Sequence, residues 1–251
     1  MYKILAKNSI VAKRVVFMPS CHSTNDICAG LAEKEQDSTG LVVITDFQEK
    51  GRGQSGNLWY SKRGENIILS YYLNTSFLDV NEQYFLSMAV CLAVSDTVEK
   101  FLNTEVKIKW PNDIYVSKKI SGILIQNSLK GTSMEYSIIG IGLNVNQVEF
   151  PIENATSLRA ISGKWYLLNS VFEILSIKME YYFKLLKKGN NQKLKNLYMN
   201  RLWWLDEDHE FESKGKKFRG SIKDVSPRGN LIIDTQDGIR KFTFKEVSFI
   251  N

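Results

Sequence analysis

The sequence predicts a mixed α/β domain followed by a small all-β barrel, and three observations carry that prediction. Strand-like and helix-like patterns interleave over most of the 251 residues. After "LWWLDEDHE" the texture changes to brief strands broken by "KGKK", "SPRGN" and "QDG". Turns at such regular spacing mark a barrel of about fifty residues, and the boundary is drawn between residues 205 and 206. Finally, an apolar fraction of 43% and a charged fraction of 24% sit near globular averages, so the chain can bury a sizeable core.

The elements follow in order. "RVVFMP" reads as a strand, and "STNDICAGLAEKE" as a helix in which Ser23 or Thr24 accepts from first-turn amides. "LVVITDF" is a continuous apolar strand, buried on both faces. "NIILSYYL" is another strand, and "NEQYFLSMAVCLAVSDTVEKFL" a long amphipathic helix. "VKIKW", "DIYV", "KISGILIQ" and "EYSIIGIGLNV" are short strands separated by turn residues. Helices follow over about 165–188 and 192–203.

Composition excludes several classes. The N-terminal "MYKILAKNSIVAKRVVF" lacks an apolar run ending in a small-residue cleavage site, and no later segment nears the roughly 20 apolar residues that span a bilayer. A cytoplasmic protein with no membrane partner is expected. Three cysteines, Cys21, Cys28 and Cys91, without a C-x-x-C pair, argue against a disulfide framework or a zinc site, and no metal ligand is assigned. Cys21 beside His22 is read as an ordinary thiol, because neighbours in sequence usually point apart. The net charge of +6 and the basic run 178–201 suit an anionic ligand or acidic partner, but the ordinary reading of such a run, a solvated helix face, is preferred.

The stretch "ITDFQEKGRGQSGNLWYS" holds Gly51, Gly53 and Gly56 in G-x-G-x-x-G spacing. A dinucleotide fingerprint must follow a strand, open a helix and find an acidic residue about twenty positions later. Here a strand pattern follows, and no G-K-[ST] closes a P-loop. What remains is a flexible loop around Arg52, a planar donor fork suited to phosphate or carboxylate. Downstream, "KWPNDIYVSKKISGILIQ" sets Asn112 and Asp113 after Pro111, at the head of a strand. Lys119 enters an apolar strand, which is costly unless it meets an anion, either a ligand or Asp113. Gly122 permits close approach, and "IGIGLNVN" ends a strand on two glycines and Asn144.

Taken together, "STN" at 23–25, "FQEKGRGQSGNLW" at 47–59, "KWPNDIYV" at 109–116, "KKISGIL" at 118–124 and "GIGLNVN" at 140–146 resemble the biotin–protein ligases in order and spacing. The resemblance runs from about residue 13 to the end. It implies a mixed sheet flanked by helices, like the class II aminoacyl-tRNA synthetase catalytic core, with a C-terminal Src-homology-3-like barrel. It also implies a two-step enzyme that uses ATP, with Mg²⁺ on the nucleotide, to make biotinyl-adenylate. The acyl group then passes to a lysine of a biotin carboxyl carrier protein.

By the same resemblance, Lys119, Arg52 and Asp113 are catalytic, with Asp113 either orienting Lys119 or holding the acceptor amine. Biotin meets Ser23, Thr24, Asn25, Gln48, Arg52, Gly53, Gln54, Lys119 and Gly122. ATP meets Gly51, Arg52, Gly53, Trp59, Asn112, Lys119 and Asn144. Two positions depart from the family pattern: Gln54 replaces a frequent arginine, and Gln126 a common glutamate. About a dozen residues precede the first strand, so the DNA-binding domain of repressor members is not expected, nor is DNA as a partner. A monomer or homodimer fits equally. The rivals are a lipoate–protein ligase, disfavoured by "GRGQSG" and by Ile123-Leu124, and a non-catalytic nucleic-acid binder, disfavoured by a barrel without an obvious stacking platform.

Overall fold

The computed structural model describes residues 2, 9–34 and 38–250. A seven-stranded mixed sheet is built from β1 (Arg14–Met18), β2 (Leu41–Thr45), β3 (Ile67–Asn74), β4 (Lys107–Lys109), β5 (Asp113–Val116), β6 (Lys118–Lys130) and β7 (Ser133–Leu143), in the order β1-β2-β3-β7-β6-β5-β4. β1 and β2 run parallel, and every other pair is antiparallel. Long α2 (Tyr84–Leu102) packs on α4 (Leu168–Lys187) and α5 (Asn191–Met199). Short α1 (Thr24–Ala32) packs against β2, β3 and β7.

Strand parity explains the two faces. Ile67, Leu69 and Tyr71 of β3, with Ile139, Ile141 and Leu143 of β7, join the α2–α4 core. The intervening residues face the other way. There, Leu41, Val43 and Ile138 pack with Cys28 of α1. Beyond α1 that face carries Ser70, Gly140, Gly142 and Gly122, and the glycines clear a floor.

Three sequence expectations shift. The second helix starts at Tyr84 rather than Asn81, because 80–82 form a separate 3-10 turn capped by Asp79. The helix expected to reach Trp203 stops at Met199, after which residues 201–203 bond alongside Ile108. A short α3 (Leu158–Ser162), capped by Ser157, lies in a stretch to which the sequence pattern assigns no element. The last residue expected in α1, Glu35, lies outside the described residues.

Helix α4 also anchors the start of the chain. The buried Glu180 carboxylate accepts from the backbone N–H groups of Ser9, Ile10 and Val11, and from Ser9 Oγ. Burial pushes that carboxyl up, but the Lys184 ammonium and these donors outweigh it and hold it at about 2.

The C-terminal unit is a five-stranded antiparallel sheet of β8 (Asp208–Ser213), β9 (Lys216–Val225), β10 (Leu231–Thr235), β11 (Gly238–Phe242) and β12 (Ser248–Phe249), in the order β11-β10-β9-β8-β12. It wraps Phe211, Ile222, Leu231, Ile233 and Phe242. It docks on the larger unit through a hydrogen bond from Trp110 Nε1, in the turn between β4 and β5, to the Gly229 carbonyl and another from Tyr84 N of α2 to the Pro227 carbonyl. No helix among the described residues is long and apolar enough to cross a membrane.

Candidate active site

A cavity of about 260 Å³ opens over the glycine floor. Its walls come from the α1 N-terminus, the 48–59 loop, the 110–113 turn, β6, β7 and the C-terminal unit.

One end is built from uncharged groups. Gln48 Oε1 accepts from Thr24 N at 2.7 Å and Thr24 Oγ1 at 3.0 Å. Ser70 Oγ lies 2.7 Å from Thr24 Oγ1 and 2.5 Å from Asn25 Oδ1. Asn25 Nδ2 donates to Gln126 Oε1 at 2.7 Å. This network corrects the expected helix cap. Neither Ser23 nor Thr24 caps α1 with its side chain, because the Thr24 hydroxyl is committed to Gln48. Gly140 is opposite Ser70, and a Cβ there would strike Asn25 Oδ1. Gln126, where the family pattern leads one to expect a carboxylate, keeps the Asn25 amide satisfied without adding charge.

The other end is charged, and strand register builds it. Asp113 lies opposite Lys109 on β4 and Gly122 on β6, and Gly122 in turn opposite Gly142. Lys119 is an odd number of residues from Gly122, so in a regular strand it would face the opposite side. A bulge between Ile114 and Tyr115 skips Ile120 in the pairing and restores Lys119 to the cavity face. Its Nζ then sits 2.7 Å from Asp113 Oδ1. Burial pushes the Asp113 carboxyl up, against the pull of Lys119 and then Lys109.

The glycine-rich loop folds as a tight hairpin. Gly53 N donates to the Asn57 carbonyl and Trp59 N to that of Gly51, with a 3-10 turn at Gln54–Gly56 and Gly56 at φ +89°. Gly51 itself lies outside the cavity lining. A Cβ on it would strike the Trp59 carbonyl, so its bareness serves the hairpin. Arg52 and Gln54 reach the cavity, and the Arg52 guanidinium pairs with Asp26 of α1, which His22 also approaches at 3.5 Å. The Trp59 ring covers Gly122 and Gly142, so a Cβ on Gly142 would collide with it.

Two residues assigned to the nucleotide side carry a buried polar atom without a partner: Trp59 Nε1 and Asn144 Oδ1. Such a group costs roughly 1–3 kcal/mol unless a ligand or water satisfies it. Asn144 lies behind the cavity lining, where its Nδ2 donates to the Thr156 carbonyl. Asn112 lines the cavity, but its amide is spent on the Ile123 carbonyl at 2.5 Å, which fixes the turn after the cis Trp110–Pro111 bond.

Sequence reasoning missed Ser70, Trp110 and the C-terminal Phe244, Lys245, Val247 and Phe249, all at or beside the cavity. Ser70 had a signal, as the one small polar side chain among the large residues of "IILSYY". The C-terminal residues had none, since domain docking alone brings them here. Cys21 and His22 do not form a nucleophile pair. All three cysteines are free and buried, and burial pushes the Cys21 thiol up.

Known proteins resemble this chain in sequence and fold. The biotin/lipoate A/B protein ligase family model matches residues 17–144, and a biotin protein ligase C-terminal domain model matches 210–250. A bifunctional ligase/repressor BirA of Bacillus spizizenii is 27% identical over 94% of this chain and 74% of its own length. Biotin–protein ligase 1, chloroplastic, of Arabidopsis thaliana is 32% identical over 79% of this chain and 56% of its own. The biotin protein ligase of Aquifex aeolicus, solved with biotin and ATP, superposes with a TM-score of 0.76 at 27% identity, covering 95% of this chain and 99% of that one. With a glycine floor, a lysine–carboxylate pair and a matched C-terminal unit in one frame, the chain belongs to the biotin/lipoate A/B protein ligase family.

Proposed function

We propose that this chain is a biotin–protein ligase: it activates biotin with ATP as biotinyl-5'-adenylate and transfers the acyl group to a lysine of a carrier protein. The supporting observation is the division of one cavity into an uncharged end and a cationic end, on a floor cleared by Gly122, Gly140 and Gly142.

A buried ureido ring needs both acceptors and donors and tolerates no net charge beside it. Gln48, Thr24, Asn25 and Ser23 supply such groups. The valeryl tail then runs over Gly122 towards Lys119. In the first step a biotin carboxylate oxygen bonds to the α-phosphorus, and the bond to the pyrophosphate oxygen breaks. Two anions must approach while charge grows on the transferring phosphate, so fixed cations lower the barrier most. Lys119 bridges carboxylate and phosphate, and Arg52 leaves Asp26 to close over the phosphate from the hairpin. Trp59 satisfies its orphan Nε1 on the nucleotide side, with Gly51, Gly53, Asn112 and, from behind the lining, Asn144 holding the backbone around it. Gln54 seals the same edge without a charge.

In the second step the carrier amine attacks the acyl carbon, the amide bond forms and AMP leaves. Asp113, freed from Lys119 as that lysine turns to the phosphate, takes the proton the amine releases. Mg²⁺ enters as part of the nucleotide substrate. Asp113 is the one carboxylate among the described residues lining the cavity, and it is already ion-paired, so the residues form no resident cation site. Residues 1–205 carry these steps, and the unit over 206–251 closes the cavity. The acceptor is a biotin carboxyl carrier protein, met in the cytoplasm by a monomer or homodimer that does not bind DNA.

The reading is tested by isotope exchange between pyrophosphate and ATP. Exchange should require biotin. Exchange driven by lipoate or octanoate and not by biotin would transfer the assignment to the lipoate branch of the family.

A further inference from the structure

Lys109 opens the "KWPND" stretch and takes no part in the steps above. Its ammonium lies 5.4 Å from the centre of the Tyr115 ring, 5.3 Å from that of Trp203 and 5.1 Å from that of Phe249. The rings come from β5, from the linker before β8 and from β12, so a cage spanning both structural units holds one cation. Lys109 and Asp113 are direct partners across β4 and β5, which puts their side chains on one face. Facing Asp113 are Lys119 from β6, Lys109 from β4, Tyr115 on its own strand and the buried Cys91 thiol of α2, while Arg52 and Lys245 line the same cavity.

We propose that Lys109 is a positioning residue whose caged charge stabilises the Asp113 carboxylate opposite it, and that the seating of Phe249 makes this stabilisation depend on the C-terminal unit. Two directions agree with the geometry. Burial pushes the Lys109 ammonium down while Asp113 pulls it up and Lys119 opposes it, and Asp113 feels Lys109 in return. The role in catalysis rests on the ligase reading above, but the electrostatic claim does not.

The test follows the Asp113 carboxyl through a pH titration by carbon NMR in the unliganded full-length chain. It compares wild type with K109M, K109R and F249A. K109M keeps the aliphatic stem in the cage and removes the charge, so the Asp113 midpoint should rise by roughly one unit. K109R should restore it, and F249A should move it part of the way. In the biotin-transfer assay the acidic limb of the kcat profile should rise in the same order, with KM for biotin unchanged. An unmoved midpoint in K109M overturns the proposal, and so does a K109R midpoint as high as that of K109M, which would make Lys109 packing alone. If K109M does not fold, K109Q takes its place in the same titration. An unshifted midpoint in F249A refutes the coupling to the C-terminal unit. A wild-type chain inert towards biotin would fail the ligase reading and leave the NMR result standing.

Discussion

The two ends of the cavity satisfy their polar groups in opposite ways. At the uncharged end, Gln48, Thr24, Ser70, Asn25 and Gln126 bond to one another in an unbroken run. At the charged end, Lys119 and Asp113 hold each other, Arg52 is tied to Asp26, and Trp59 Nε1 has no partner. The first end is complete before any ligand arrives and selects by shape and hydrogen bonding. The second must exchange partners to work, since each cation is held by a carboxylate that a phosphate has to displace. A fixed pocket suits recognition of a neutral ring; interchangeable ion pairs suit chemistry in which charge moves.

Lys119→Ala should break the charged end outright. Exchange should fall by at least about 10³-fold, beyond the usual loss of one transition-state donor, because two reacting anions lose their shared cation. The fold should survive with a lowered thermal midpoint, since Asp113 is mostly buried and loses the cation that pairs it. Retention of more than a tenth of the activity would remove Lys119 from the mechanism.

The glycine floor offers a sharper contrast. Gly142→Ala drives a methyl group into the Trp59 ring, and Gly140→Ala drives one into Asn25 Oδ1. The first should raise KM for ATP as well as biotin, and the second KM for biotin alone, each by about 10–100-fold from displaced packing and lost hydrogen bonds. Identical kinetic signatures would mean the ends are not separate. Gln48→Leu, which leaves the Thr24 amide and hydroxyl without their acceptor and removes a polar partner of the ureido ring, should weaken biotin by about 10-fold. Stopped-flow binding of biotin measures it.

Much of this contrast was legible in the sequence, and the reason differs by residue. Lys119 and Gly122 announce themselves because a charge or a glycine in an apolar strand is locally costly, Asp113 because it follows Pro111 at the head of a strand, and Arg52 because three glycines surround it. The α/β order and the C-terminal β unit follow from periodicity. What stayed hidden depends on distance in the chain. The bulge that turns Lys119 into the cavity exists only in the pairing of β5 with β6. Asp26 reads as a helix first-turn acid until the hairpin brings Arg52 to it. Phe249 and Lys109 meet through docking of two units, which no local pattern encodes.

Smaller effects sharpen the same comparison. Gln54→Arg adds a cation at the cavity edge and should slow adenylate escape by a few-fold, at about 1 kcal/mol for a partly exposed charge. Equal release rates in a single-turnover chase would show that position 54 does not hold the intermediate. Glu180→Gln lies at neither end and should leave both KM values alone while costing about 2–4 kcal/mol of stability through weakened amide contacts. Since the folded carboxyl sits below its ordinary value, its stabilisation is complete above about 4.5 and fades as pH falls towards about 2. The variant and wild type should therefore converge in acid denaturation. A constant gap down to the lowest pH would place the effect elsewhere.

The division of labour is tested most directly by pyrophosphate exchange on wild type and Lys119→Ala, run beside biotin binding to each. The account predicts biotin-dependent exchange in the wild type and none in the variant, while the variant still binds biotin within about 10-fold of wild type through the uncharged end. Loss of biotin binding together with exchange, or exchange that survives without Lys119, would contradict it.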